Sequence, residues 1–82
     1  MIYELEIKNR AMKDLEGLSS DERQRVSARI DELRNDLHGD VKRLRNFIPR
    51  FRMRSGDYRV LFEVEGSRVV IYRVRHRRDV YR

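Results

Sequence analysis

The chain has 82 residues, 41% of them charged and 39% hydrophobic, with no cysteine and a net charge of +6. That length fits one small domain, 1–82, whose core buries roughly 60–65% of the unfolded surface. A disulfide scaffold, a thiolate metal site and a cysteine nucleophile are excluded. No run of about 18 apolar residues is present to cross a bilayer, and Met1-Ile2-Tyr3-Glu4-Leu5 lacks the pattern of a signal peptide, so the expected location is the cytoplasm.

Residues 2–7 read as a short strand with Tyr3, Leu5 and Ile7 on one side and Glu4 and Glu6 on the other. Residues 8–18 read as a helix with the stripe Ala11, Leu15 and Leu18. Ser19 and Glu22 have capping-box spacing and open a second helix. Its stripe is Val26, Ile30, Leu33 and Leu37, and Gly39 is the natural stop, so the spacing predicts a helix to about His38. His38 then belongs to that helix end, where the dipole favours it. Residues 40–49 read as an irregular basic connection carrying Lys42, Arg43, Arg45 and the only proline, Pro49. Three strands follow, 50–55, 58–65 and 68–74, joined by Gly56-Asp57 and Gly66-Ser67, both suited to two-residue hairpin turns. The expected order is β-α-α-β-β-β: an α+β domain with an antiparallel meander sheet backed by a helical hairpin. Arg75 to Arg82 form a short charged tail.

Register gives the sheet two unlike faces. With Gly56-Asp57 as the loop, Met53 faces Val60 and Phe51 faces Phe62, an apolar set that must meet the helices. The opposite face receives Arg50, Arg52, Arg54 and Arg59, with Leu61 and Glu63. Unbroken alternation in the last strand adds Val70, Tyr72 and Val74 to that face and leaves Arg73 at the rim of the core, where it would snorkel. Arg54 opposite Arg59 is a like-charge pair that an anion would relieve.

Charge is as polarised as the faces. Residues 1–40 hold seven Lys/Arg against ten Asp/Glu, whereas residues 41–82 hold thirteen against four. A basic half of this kind points to a polyanion partner, nucleic acid first and an acidic protein second.

The segment Phe51-Arg52-Met53-Arg54-Ser55-Gly56-Asp57-Tyr58-Arg59-Val60-Leu61-Phe62 resembles the strand–turn–strand region of the RelE/ParE toxin superfamily. His76-Arg77-Arg78-Asp79-Val80-Tyr81 resembles the C-terminal signature of its RelE branch, and the opening strand, helical hairpin and length match as well. The resemblance implies a RelE-like fold and the toxin of a type II toxin–antitoxin pair. RelE-like toxins cleave mRNA, usually in the ribosomal A site, without a metal or cofactor and under the control of an acidic RelB-like antitoxin. ParE-like toxins act instead on DNA gyrase, and a degenerate toxin would bind RNA or antitoxin without cutting.

Carried over by position, Arg50 and Arg52 stand where one branch has two lysines. Arg59 stands on a phosphate-binding arginine, Arg77 on the C-terminal catalytic arginine, and Tyr81 on the C-terminal tyrosine. Arginine cannot give up its proton, so Arg50 and Arg52 clamp charge rather than act as a base. Either base catalysis is weak or another residue is the base: Tyr81 is the first candidate, since a guanidinium cluster favours its phenolate, and His76 the second, since its ordinary pKa suits either proton role. Arg54 and Arg78 add to the field for RNA. Lys42, Arg43 and Arg45 are expected to give salt-dependent contacts with RNA. Tyr58, beside the turn, has either a structural role or a partner-binding one.

Overall fold

The computed structural model of the protein describes residues 1–80. In chain order the elements are β1 (Glu4–Ile7), α1 (Asn9–Glu16), α2 (Ser20–Glu32), β2 (Asp40–Arg43), β3 (Phe51–Ser55), β4 (Tyr58–Glu65) and β5 (Arg68–His76). The five strands form one sheet in the order β1-β5-β4-β3-β2. β2–β3–β4–β5 is an antiparallel meander, and β1 joins β5 in parallel. The α+β class and the helix-backed meander are as expected. The sheet has gained β2, and β1 closes its other edge.

α1 and α2 cover one face. Ala11 and Leu15 from α1 and Val26, Ile30 and Leu33 around α2 meet Met53, Val60, Phe62, Val69, Ile71 and Val74 from the sheet. Phe51 and Phe62, directly opposite across β3 and β4, stack with centroids 5.5 Å apart. β5 lies between β1 and β4, and an interior strand is where an unbroken Val69-Val70-Ile71 run belongs. Ser19 caps α2, its hydroxyl accepting from the Glu22 amide at 3.3 Å and donating to the Glu22 carboxylate at 3.0 Å.

α2 stops at Glu32 rather than near His38. The segment ahead of β1 competes for its last turn. The Tyr3 amide donates to the Arg34 carbonyl, the Asp36 amide donates to the Met1 carbonyl, and Ile2 bridges Asn35. Asp36 and Leu37 then take left-handed backbone angles and turn the chain toward β2. The connection expected to be irregular contains β2, paired Asp40↔Arg54, Val41↔Met53, Lys42↔Arg52 and Arg43↔Phe51.

The β3–β4 register is as read from the turn: Phe51↔Phe62, Met53↔Val60, Arg54↔Arg59. Gly56 has φ +57°, the left-handed value that a two-residue turn asks of its first position. The β4–β5 register departs from simple alternation. Phe62 pairs Ile71 but Leu61 pairs Arg73, so Tyr72 is an extra residue in a β-bulge. Everything after it is shifted by one. Val74 lies opposite Val60 in the core rather than on the arginine face, and Arg75 lies opposite Arg59.

Asp14 of α1 stabilises the bulge. Its carboxylate accepts from Arg73 Nε at 2.8 Å, Arg73 Nη2 at 3.2 Å and the Val74 amide at 2.9 Å. Arg73 is therefore ion-paired to the helical layer instead of snorkelling from the core rim.

Candidate nucleic-acid interface

On the face away from the helices, β2 contributes Lys42, β3 the alternate pair Arg52 and Arg54, and β4 Arg59, and the turn after β5 adds Arg77 and Arg78. Lys42, Arg52, Arg54, Arg59, Arg77, Arg78 and Val80 line an open basin of about 600 Å³. Pairing makes the arrangement rigid: Asp40, Arg54, Arg59 and Arg75 form one row across β2, β3, β4 and β5.

Each arginine in the basin has a definite seat. Arg52 is the most enclosed, its side chain only 11% exposed. Its Nη1 donates to the Asp40 carbonyl at 3.4 Å and lies 3.6 Å from the Asp40 carboxylate. Asp40 also reaches Arg54, at 3.8 Å. Arg59 Nη1 donates to the carbonyls of Gly56 at 2.9 Å and Tyr58 at 3.0 Å. The Arg77 amide donates to the Asp57 carbonyl at 2.8 Å, and its Nε lies 3.9 Å from the Asp57 carboxylate. Like charges directly opposite on neighbouring strands repel, and Arg54, Arg59 and Arg75 stand in such a line. Asp40 and the turn carbonyls offset part of that repulsion. An anion in the basin would offset more, because guanidinium forks match phosphate oxygens.

Several expected residues lie elsewhere. Arg50 is turned to Glu63, which accepts from its amide at 2.7 Å and its Nε at 2.9 Å, and it does not line the basin. Nor do Arg43 and Arg45, whereas Lys42 does. His76 lies beyond the basin lining, across from Tyr58 on β4, with the rings edge to face at 5.5 Å. Tyr58 in turn belongs to the helical side, where its hydroxyl donates to Glu22 of α2 at 3.5 Å. Burial first, and the Glu22 carboxylate second, hold the Tyr58 phenol above its ordinary pKa. Tyr81 lies outside the described residues. Among the described residues, no three of His, Cys, Asp and Glu are grouped to hold a metal ion.

Arg75 does not line the basin, but it is the neighbour of it that sequence reasoning missed. Read as part of the tail, it stands in the structure beside Arg59 because of the bulge. The available signal was the conflict that alternation created at Arg73, a charge assigned to the core rim.

An α+β domain of this topology, with a cationic sheet face opposite its helical layer, is of the RelE-like type. Residues 5–81 match the family described as ParE toxin of type II toxin–antitoxin system, parDE. The chain is 33% identical over 75 residues to Toxin RelE3 of Methanocaldococcus jannaschii, covering 85% of each. It superimposes on a chain of the RelB–RelE antitoxin–toxin complex from Methanococcus jannaschii with a TM-score of 0.76 at 29% identity, over 93% of this chain and 94% of that one. For the RelBE2 toxin–antitoxin complex from Mycobacterium tuberculosis the TM-score is 0.81 at 27% identity, over 93% and 99%. The chain belongs to the RelE/ParE superfamily and is a RelE-family toxin of a type II toxin–antitoxin system.

Proposed function

We propose that the chain is a metal-independent endoribonuclease that cuts mRNA in the ribosomal A site, in the cytoplasm, and is held inactive by an acidic RelB-like antitoxin. The observation that carries this reading is the basin, where six cationic side chains from three strands and the tail converge on one sheet face. RNA phosphate is the ligand that such a concentration of guanidinium groups suits. In the reaction the 2′-hydroxyl gives its proton to a base, the 2′-oxygen bonds to the adjacent phosphorus, and the bond to the 5′-oxygen breaks as that oxygen takes up a proton from water. The products are a 2′,3′-cyclic phosphate and a free 5′-hydroxyl.

Arg52 and Arg59, fixed at two neighbouring strands, hold the non-bridging oxygens as charge builds on the phosphorane. Arg77 approaches from the tail, and Arg75 reinforces Arg59 from β5. Lys42, Arg54 and Arg78 hold flanking phosphates. None of these arginines serves as the base, since guanidinium keeps its proton. We assign that role to Tyr81, which follows the basin-lining Val80 in sequence and itself lies outside the described residues. The solved relatives that are RelB–RelE complexes support an antitoxin partner, and charge complementarity to the basic half favours an acidic one.

The test is primer extension on mRNA in a coupled translation reaction with wild type, Arg77→Ala and Tyr81→Phe. Discrete in-frame breaks that need ribosomes and weaken in both variants are expected. Intact mRNA while growth stops would overturn the nuclease reading in favour of gyrase, and intact mRNA with normal growth would leave a binder that does not cut.

A further inference from the structure

We infer that His76 is a positioning residue: its imidazole Nδ1 closes the turn after β5 and so aims Arg78 into the basin. The geometry is local and complete. Nδ1 accepts from the Arg78 amide at 3.2 Å and from Arg78 Nε at 3.4 Å, while the His76 carbonyl accepts from the Asp79 amide at 2.8 Å. A side-chain acceptor that takes the amide two residues on is the geometry of an Asx-turn, with imidazole standing where Asn or Asp usually stands. To accept there, the ring keeps its lone pair on Nδ1 and carries its proton on Nε2. The ring itself is held from behind by Tyr58, edge to face at 5.5 Å. Both donors belong to Arg78, which lines the basin with Arg77 and Val80 of the same turn. A freely rotating arginine would lose more side-chain entropy on meeting a phosphate, and a turn that pre-sets it removes part of that cost.

This inference rests on the reading of the basin as an RNA site, and the experiment separates the two. The probe is a short single-stranded RNA with 2′-O-methyl riboses, which lacks the nucleophile, titrated by fluorescence anisotropy over a range of salt. His76→Phe keeps a ring against Tyr58 but has no acceptor. His76→Asn keeps the acceptor but has no ring. Positioning through Nδ1 predicts that His76→Asn binds within about twofold of wild type. It predicts that His76→Phe binds about threefold to tenfold more weakly, with a log–log salt slope shallower by about 0.7, the value for one single-strand phosphate contact. Arg78→Ala matches His76→Phe, and the double variant is no weaker than Arg78→Ala alone. Melting temperature follows the opposite order, with His76→Phe above His76→Asn, so loss of folding cannot mimic the binding result. Long-range ¹H–¹⁵N spectra are expected to show His76 protonated at Nε2 with a lone pair on Nδ1. A proton on Nδ1, or a His76→Phe variant that binds like wild type while Arg59→Ala is weak, overturns the inference alone. Arg59→Ala binding like wild type overturns the RNA reading and this inference with it.

Discussion

Replacing Asp14 with alanine removes the acceptor for three donors at once: two from the Arg73 guanidinium and one from the Val74 amide. The amide is the expensive one. Val74 is 4% exposed, so its N–H loses its partner where water is scarce, at a cost of about 1–3 kcal/mol. The Arg73 side chain is 26% exposed and recovers part of its hydration, so losing the ion pair adds only about 1 kcal/mol. The sum, about 2–4 kcal/mol, is a large share of the roughly 4–12 kcal/mol expected for a chain this size. In a thermal melt followed by circular dichroism, Asp14→Ala should lower the Tm by about 10–25 °C. Asp14→Asn, which keeps an oxygen for the amide, should lose about half as much. A cycle with Arg73→Met should show coupling of no more than about 1 kcal/mol, since the double variant removes the ion pair but still leaves the Val74 amide without its acceptor. Asp14→Ala within about 0.5 kcal/mol of wild type would refute the reasoning that α1 holds the bulge in place.

Three further outcomes follow from the same geometry. Arg75→Gln, by interrupting the row Arg54–Arg59–Arg75, should stabilise the protein by about 0.2–1 kcal/mol in denaturant titrations at low salt while weakening RNA binding, and the gain should vanish at high salt. Gly56→Ala forces a Cβ into a left-handed turn at φ +57° with open space around it, so backbone strain alone should cost about 1–2 kcal/mol in the same assay. For Tyr58, the folded phenol titrates above its unfolded value of about 10, so its contribution is fully present below that pH and is lost as pH rises through the folded pKa. Tyr58→Phe should remove a component that rises above about pH 10 from an ultraviolet phenolate titration and flatten the alkaline loss of stability.

The sheet face was legible where a turn declared its own register. Gly56-Asp57 set Met53 against Val60 and Phe51 against Phe62, and from that the alternate arginines 52, 54 and 59 followed. Asp40-Val41-Lys42-Arg43 carries one apolar residue and no period. It is a strand because β3 offers it a free edge, which no local pattern reports. The end of α2 was hidden for a similar reason: the competing partner is the segment before β1, more than thirty residues away in sequence. Arg75 escaped because alternation was carried unbroken through Tyr72. The charge that this placed beside the core at Arg73 was resolved in the protein by an added backbone residue, with Asp14 as its anchor, rather than by a bent side chain.

The bulge at Tyr72 also bears on how related chains are compared. It acts as a one-codon frame shift in space: every residue after it changes face while the downstream sequence stays the same. A relative whose strand lacks the extra residue would need arginine and valine in exchanged positions to present the same surface. Columns of a gap-free alignment would then set a core residue against one on the basin face. Chemistry shared by two such chains would look like divergence, and a matched arginine could stand on opposite sides of the sheet.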